Sequence, residues 1–234
     1  MGRLIHFSGA GLSAESGVPT FRDENGLWMG FDPDKVCNYS NWKENFEDVH
    51  EFYNSLRVKL GEVSPNAAHM AVADWASRYE TLVFTQNVDD LFERSGVRPV
   101  KIHGDLLTMK CEACGNVWSI CYTAFEPGSQ CASHKCGCKK AIKPNVVFFG
   151  EMAPLYGNLY EMLESLTDDD VIVVVGTSSS VVDIHAFLRE YPGYKIVNNL
   201  VPTSGEESVY DVFLHMPATE AVPHIDSILR EKLG

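Results

Sequence analysis

The chain is short of three things, and each shortage excludes a class of protein. Long apolar runs are missing: the longest, Val171 to Val175 and Val146 to Phe149, are about five residues, whereas a membrane helix needs about 20. Positive charge is scarce, with 19 Lys+Arg against 32 Asp+Glu and a net charge of −13. Duplex-binding proteins displace counterions with a basic stripe, so nucleic acid is not expected as a partner, and a cationic peptide is the more natural complement. The first residues, Met1 to Gly9, hold no apolar stretch of signal-peptide length. Gly2 is the sole hint of lipidation, and Leu4 and Ile5 read instead as part of a buried strand. The expectation is a cytoplasmic protein with no membrane contact. At 234 residues and 45% hydrophobic, the chain can bury a real core and suits one globular domain carrying a smaller insert.

Cysteine is what the sequence has in a telling place. Five of seven (Cys111, Cys114, Cys131, Cys136 and Cys138) lie in one short stretch. In a reducing compartment, clustered cysteines bind metal more often than they form disulfides. Cys111-x2-Cys114-Gly115 is a zinc knuckle, and Cys131, Cys136 and Cys138 compete for the two remaining places. Cys136 is favoured because Gly137 repeats the Cys-Gly pattern. Cys131 and Cys138 both stay open as the fourth ligand. Four thiolates leave no position for water, so one structural zinc is expected rather than a catalytic one.

The remaining pattern alternates. Leu4 to Ser8, Thr81 to Thr85, Val100 to Gly104, Asn145 to Phe149, Val171 to Val175 and Lys195 to Val197 read as strands. Trp42 to Leu60, a segment capped by Ser64-Pro65, Met152 to Leu166, Val181 to Tyr191 and Ala218 to Leu233 read as helices. Several strands are apolar without alternation, which predicts an α/β fold: a Rossmann-like parallel sheet with helices on both faces. Ligands bind such sheets beyond the carboxyl ends of the strands. Those ends carry Gly9-Ala10-Gly11, Gln86-Asn87, His103-Gly104, Gly176-Thr177-Ser178 and Asn198. Turn chemistry explains the glycines but not Gln86, Asn87 and His103 together.

Gly9 and Gly11 would let the backbone approach a pyrophosphate. The third glycine, Gly17, comes later than in the dehydrogenase fingerprint, and no acidic residue closes a second strand about 20 positions on. A dinucleotide site is expected, but not hydride transfer. Arg22 is placed to pair with phosphate, and Phe21 to shield a reactive ribose carbon. His103, at the same sheet edge, is a candidate general base.

Taken together, Gly9-Ala10-Gly11-Leu12-Ser13, Gly17-Val18-Pro19-Thr20-Phe21-Arg22, Thr85-Gln86-Asn87-Val88-Asp89, His103-Gly104, the cysteine knuckles and Lys143-Pro144-Asn145-Val146-Val147-Phe148-Phe149-Gly150-Glu151 closely resemble the sirtuin family. Ser13 to Thr20 looks most like its class III branch. The resemblance implies NAD-dependent deacylation of acyl-lysine in protein substrates; the oligomeric state is left open, with a monomer favoured. It implies a Rossmann-like domain (1–28, 80–104 and 145–234) and a small domain made of a helical insertion (29–79) and a zinc-binding insertion (105–144). The acyl oxygen would attack the nicotinamide ribose and expel nicotinamide. His103 would then deprotonate the ribose hydroxyl that completes the transfer, giving free lysine and O-acyl-ADP-ribose. Asn87, counted with His103 as catalytic, and Asp89 would serve the nicotinamide pocket. Gly9, Ala10, Gly11, Ser13, Glu15, Phe21 and Arg22 would line the NAD loop, and Gln86 would hold the ribose. Gly176, Thr177, Ser178, Asn198 and Ala218 would take the phosphate and adenosine end. Phe149, Gly150 and Glu151 would dock the substrate as an added strand, with Ala14 leaving room for the acyl chain.

Three departures from the family pattern bear on specificity. The class III Tyr-x-x-Arg that grips an acyl carboxylate is here Tyr53-Asn54-Ser55-Leu56, with Arg57 one residue late, a rotation of about 100° on a helix. The expectation is therefore a deacetylase with Leu56 in an apolar pocket and Arg57 on the surface. Desuccinylation through Tyr53 and Arg57 is the alternative. Ser179-Ser180 replaces a common apolar residue, and Met216 a common glycine. Competing functions are an NAD hydrolase or ADP-ribosyltransferase on the same fold, and a non-enzymatic NAD-sensing zinc ribbon.

Overall fold

The computed structural model describes residues 2–20, 28, 30–132, 136 and 140–234. In chain order its elements are β1 (Leu4–Ser8), α1 (Gly11–Ala14), α2 (Pro33–Val36), α3 (Phe46–Glu62), α4 (Ala67–Arg78), β2 (Thr81–Thr85), α5 (Leu91–Ser95), β3 (Val100–Lys101), β4 (Gly104–Cys111), β5 (Val117–Ser119), β6 (Ile142–Val146), α6 (Tyr156–Glu164), β7 (Val171–Val175), α7 (Ile184–Arg189), β8 (Tyr194–Asn199), β9 (Val212–His215) and α8 (Ala218–Leu233).

Six strands form one parallel sheet in the order β3-β2-β1-β7-β8-β9. All five residues of β1 and of β7 are buried, which is why neither strand alternates in polarity. Side chains of successive residues leave opposite faces. Leu4, Val171, Val173 and Val175 pack with Trp75 of α4 and Ile225 and Leu229 of α8. Ile5, Phe7, Ile172 and Val174 pack with Leu159 and Leu163 of α6 and Leu188 of α7. Each such fully buried side chain removes enough apolar surface to contribute about 1.5–3 kcal/mol.

A separate three-stranded antiparallel sheet has the order β5-β4-β6. Its inner face, through Leu106 and Val146, joins α2 and α3 in a third apolar cluster with Trp42, Phe52 and Tyr53. A fourth, smaller cluster lies at the cysteines: Met109, Cys111, Phe125, Cys131 and Ile142.

Several sequence expectations shift. Ser64-Pro65 does not cap α4; Asn66 does, accepting from the backbone N–H of Ala68 and His69 while His69 reaches back to the Asn66 N–H. The strand read at Asn145 to Phe149 begins earlier, at Ile142, and pairs antiparallel with β4 rather than joining the parallel sheet. β4 runs up to the first cysteine and is not read as a strand from the sequence, and β5 lies in the cysteine stretch, where turn formers mask its pattern. The edge strand β9 escaped notice because only Val212 and Leu214 turn inward, while Phe213 is exposed. The expected domain boundaries at 104 and 144 fall inside β4 and β6.

The sheet also buries histidine. His6, in the middle of β1, is fully buried, and neither ring nitrogen has a hydrogen-bond partner. Its ring meets the edge of Phe92, which His69 of α4 also contacts. Burial holds His6 down to about 3, with His69 adding to the effect, and holds His69 itself down to about 4. Both rings therefore stay neutral in the folded chain, whereas an unfolded histidine titrates near 6.5. The unfolded state takes up more protons below about pH 6.5, so stability is lost as the pH falls through that value toward about 4. His6→Leu is expected to flatten this loss: urea-unfolding free energy should fall less between pH 7 and pH 5 in the variant than in the parent. Equal slopes would contradict the assignment.

Candidate active site

The first strand ends in a turn that leaves no room for side chains. Gly9 N–H donates to Val175 O at 3.0 Å and Gly11 N–H to Gly176 O at 2.9 Å. A Cβ on Gly11 would sit 2.7 Å from Gly176 Cα, and one on Gly176, whose φ is +66°, would sit 2.3 Å from Leu12 N. These glycines therefore let the β1 and β7 turns interlock, a use that precedes any contact with ligand.

Around this junction the polar groups are tied together. Ser13 Oγ donates to Asp89 Oδ2 (2.8 Å), and Asn87 Nδ2 donates to Gly9 O (3.1 Å) and Ser13 Oγ (3.0 Å). Asp89 also accepts from Leu91 N–H, and burial pushes its carboxyl above the usual range against these bonds. Gln86 Nε2 donates to Thr177 Oγ1 at 2.8 Å. His103, between β3 and β4, faces the same space. Its Nδ1 lies 3.1 Å from Gln86 O and its Nε2 3.0 Å from Tyr156 Oη. Desolvation lowers its pKa, partly offset by the Gln86 carbonyl, which keeps the ring neutral near pH 7.

These groups line a cavity of about 880 Å³, within the range that holds small molecules and cofactors. Gly9, Ala10, Gly11, Ser13, Gln86, Asn87, Asp89, His103, Gly176, Thr177 and Ser178 border it, as do Tyr53, Phe149, Gly150 and Glu151. The Phe149 loop is pinned from behind: Phe149 N–H donates to Cys37 O (2.7 Å) and Tyr39 N–H to Phe149 O (3.0 Å). Beneath it Glu151 accepts from Phe148 N–H and pairs with Lys143, a fully buried ammonium whose pKa burial lowers and Glu151 raises.

Other expected residues sit elsewhere. Glu15 accepts from Thr219 N–H and Oγ1 at the start of α8, tying the glycine turn to that helix. Neither Glu15, Ala14 nor Ala218 borders the cavity. Asn198 spends its amide on Leu214 O and Met216 O, both at 2.9 Å, clamping β9 to β8. Its neighbour Asn199 borders the cavity instead, with an Nδ2 that has no partner. Phe21, Arg22 and Cys138 lie outside the described residues.

Arg57 is not a surface arginine. It is fully buried, with Nε donating to Leu106 O (2.8 Å), one terminal nitrogen to Asn54 Oδ1 (2.7 Å) and the other 3.5 Å from Met109 Sδ. Burial pulls its pKa down to about 10. It does not border the cavity, whereas Tyr53, Leu56 and Leu60 do. The Tyr53 hydroxyl lies 3.1 Å from Cys37 Sγ. Tyr156, Lys143, Asn199 and Cys37 were given no role at the site from the sequence, although Lys143 opens the sirtuin-like segment 143–151. The one available signal was for Tyr156, inside the helix expected from Met152 to Leu166; the structure starts that helix at Tyr156.

Away from the cavity, the sulfurs of Cys111, Cys114, Cys131 and Cys136 all lie within 4.8 Å of one another. The Cys111–Cys136 and Cys114–Cys131 separations are both 3.6 Å. A tetrahedron with Zn–S bonds of about 2.3 Å has edges of about 3.8 Å, so this donor set fits zinc and closes the shell.

An open parallel sheet, a glycine junction at its switch point and, away from it, a closed four-thiolate site define a nucleotide-handling α/β protein with a metal-stapled insert. The Sir2 family model matches residues 9–183. An NAD-dependent protein deacylase of Helicobacter hepaticus is 43% identical, covering 99% of this chain and 98% of that protein. Among solved structures, a mutant Sir2 homologue in complex with ADP-ribose is 33% identical with a TM-score of 0.86, over 98% of this chain and 92% of the other. A Sir2 homologue in complex with NAD is 32% identical with a TM-score of 0.83, over 99% and 90%. The chain belongs to the Sir2 family.

The cysteine cluster has so small an apolar core that metal binding must supply much of its folding free energy. Purified protein is expected to carry one zinc per chain by elemental analysis. Cys111→Ser should lose the metal and expose 105–144 to limited proteolysis. Protein far below one zinc per chain with an intact proteolytic pattern would contradict this.

Proposed function

We propose that the chain is an NAD-dependent protein-lysine deacylase, releasing nicotinamide, free lysine and O-acyl-ADP-ribose. The observation that carries this is the convergence of His103, Asn87, the glycine junction and the Phe149 loop on one cavity. A hydrolase that merely opened NAD to water would not need a pinned strand for a peptide.

NAD, the co-substrate, supplies an electrophilic ribose carbon once nicotinamide departs. The junction of Gly9, Gly11 and Gly176, with only the small methyl of Ala10 beside it, leaves space for its phosphates, and Asn199 offers a free amide donor. Asn87 and Asp89, fixed by Ser13, shape the nicotinamide end. The walls formed by Phe148, Val146 and Leu106 exclude water from the reacting carbon. His103 is the base for the ribose hydroxyl, and the proton it gains is held at Nε2, since Nδ1 is committed to Gln86 O. Phe149 to Glu151, and Ser178, Ser180 and Val181, border the cavity, and these two segments receive the substrate backbone as an added strand. The net charge of −13 favours lysine-rich segments.

The acyl pocket is read as apolar. Leu56 and Leu60 border it and Arg57 does not, so the Arg57 guanidinium does not wait there for an acyl carboxylate. Mass spectrometry of reactions containing NAD and acetyl-, succinyl- or unmodified lysine peptides is expected to show O-acetyl-ADP-ribose forming at least tenfold faster than the succinyl product. Arg57→Ala should lower thermal stability without changing that ratio, because its loss strands the Leu106 carbonyl. Free ADP-ribose made without acyl peptide would favour the hydrolase. A succinyl preference abolished selectively in Arg57→Ala would overturn the apolar reading.

A further inference from the structure

Both ring nitrogens of His103 are already engaged. Nδ1 faces the Gln86 carbonyl at 3.1 Å and Nε2 faces the Tyr156 hydroxyl at 3.0 Å. A carbonyl oxygen only accepts, so Nδ1 carries the ring proton, Nε2 holds the lone pair, and Tyr156 donates to it. A base whose lone pair is capped takes a proton from the cavity only by losing the cap or by working through it.

The surroundings favour working through it. The His103 backbone is pinned, with its carbonyl accepting from Val147 N–H at 2.9 Å. Gly104 follows at φ +90°, pressed so close to Asn145 that a Cβ would lie 2.2 Å from that carbonyl oxygen. Swinging the ring to a new partner would break both of its hydrogen bonds. Tyr156, the first residue of α6, is half-buried and borders the same cavity. A phenol has one proton and two lone pairs, so while donating to Nε2 it still accepts from a hydroxyl on its cavity side.

We propose that Tyr156 is the proton relay of His103. Tyr156 passes its hydroxyl proton to Nε2 and takes in its place the proton of the ribose hydroxyl presented to it. One Oη–H bond breaks and another forms, so the phenol ends unchanged, the imidazole ends as the imidazolium, and the ribose oxygen ends as the nucleophile. Partial burial raises the phenol above its usual pKa, which disfavours a free phenolate and couples the two transfers. This inference rests on the deacylase reading, in which nicotinamide leaves before the base acts.

The test compares wild type, Tyr156→Phe and His103→Ala in two reactions: deacylation of an acetyl-lysine peptide, and exchange of labelled nicotinamide into NAD. A third measurement takes the 15N resonances of the His103 ring in the ligand-free protein. His103→Ala should lose deacylation and keep exchange. Tyr156→Phe should deacylate about 10- to 100-fold more slowly, at or below the lower end of the 10²–10⁴ that a whole general base supplies. Its exchange should stay within twofold of wild type. In the free wild-type protein the ring should read as the Nδ1–H tautomer, and Tyr156→Phe should move the Nε2 resonance. Deacylation by Tyr156→Phe within threefold of wild type, equal loss of both reactions, or an unmoved Nε2 resonance overturns the relay. Full deacylation by His103→Ala overturns the underlying reading of His103 and the relay with it, whereas an inactive His103→Ala beside a fully active Tyr156→Phe overturns the relay alone.

Discussion

The interlock of two turns governs the rest of the molecule. Gly9 and Gly11 on one side and Gly176 on the other approach so closely that no side chain fits between them. This contact fixes where β1 and β7 end, and the ladder continues outward from it. Gln86 N–H donates to Ser8 O, Ile102 N–H to Thr85 O and Gly176 N–H to Asn198 O, each at about 3 Å. Each strand end is thus held against its neighbour's, and the residues just beyond them (Asn87, His103, Thr177, Asn199) are delivered to one space. The apolar sheet beneath supplies the stability, and the glycine junction sets the geometry.

The polar groups at this edge spend most of their capacity on each other. Ser13, Asp89 and Asn87 form a closed set, and Gln86 is tied both to Thr177 through its side chain and to His103 through its carbonyl. Such satisfied networks hold a site in one arrangement before ligand arrives. One cavity residue departs from this: Asn199, whose amide nitrogen is buried and unpartnered. An idle donor of that kind costs free energy unless a ligand uses it. The second structural commitment is the metal-stapled insert, whose antiparallel strands carry Leu106 and Val146 to the cavity wall.

Much of this was legible in the residues. The parallel sheet followed from apolar strands without alternation, α8 from its spacing, and the metal set from the cysteine knuckles. The rest was hidden for physical reasons. β8 is buried along its second half, so no polar alternation reveals which of Asn198 and Asn199 faces the cavity, and neighbouring strand residues point opposite ways. The one-residue offset suggested that Arg57 turns from the pocket, and it is absent from the cavity lining, but nothing in the sequence announced that a carbonyl, an amide and a thioether would bury it rather than leave it on the surface. Spacing could not choose between Cys131 and Cys138; the fold brings Cys131 into the cluster. The Tyr156–His103 contact joins residues 53 positions apart and exists only once the Phe149 loop has turned back over the sheet edge.

The claim that the glycine junction assembles the site is tested most directly by Gly11→Ala, with ADP-ribose binding measured by titration calorimetry and zinc content measured on the same sample. A Cβ there meets Gly176 Cα at 2.7 Å, so the β1 and β7 turns must part. The account predicts ADP-ribose binding weakened by at least tenfold in a chain that still holds one zinc. Binding within twofold of wild type would contradict it.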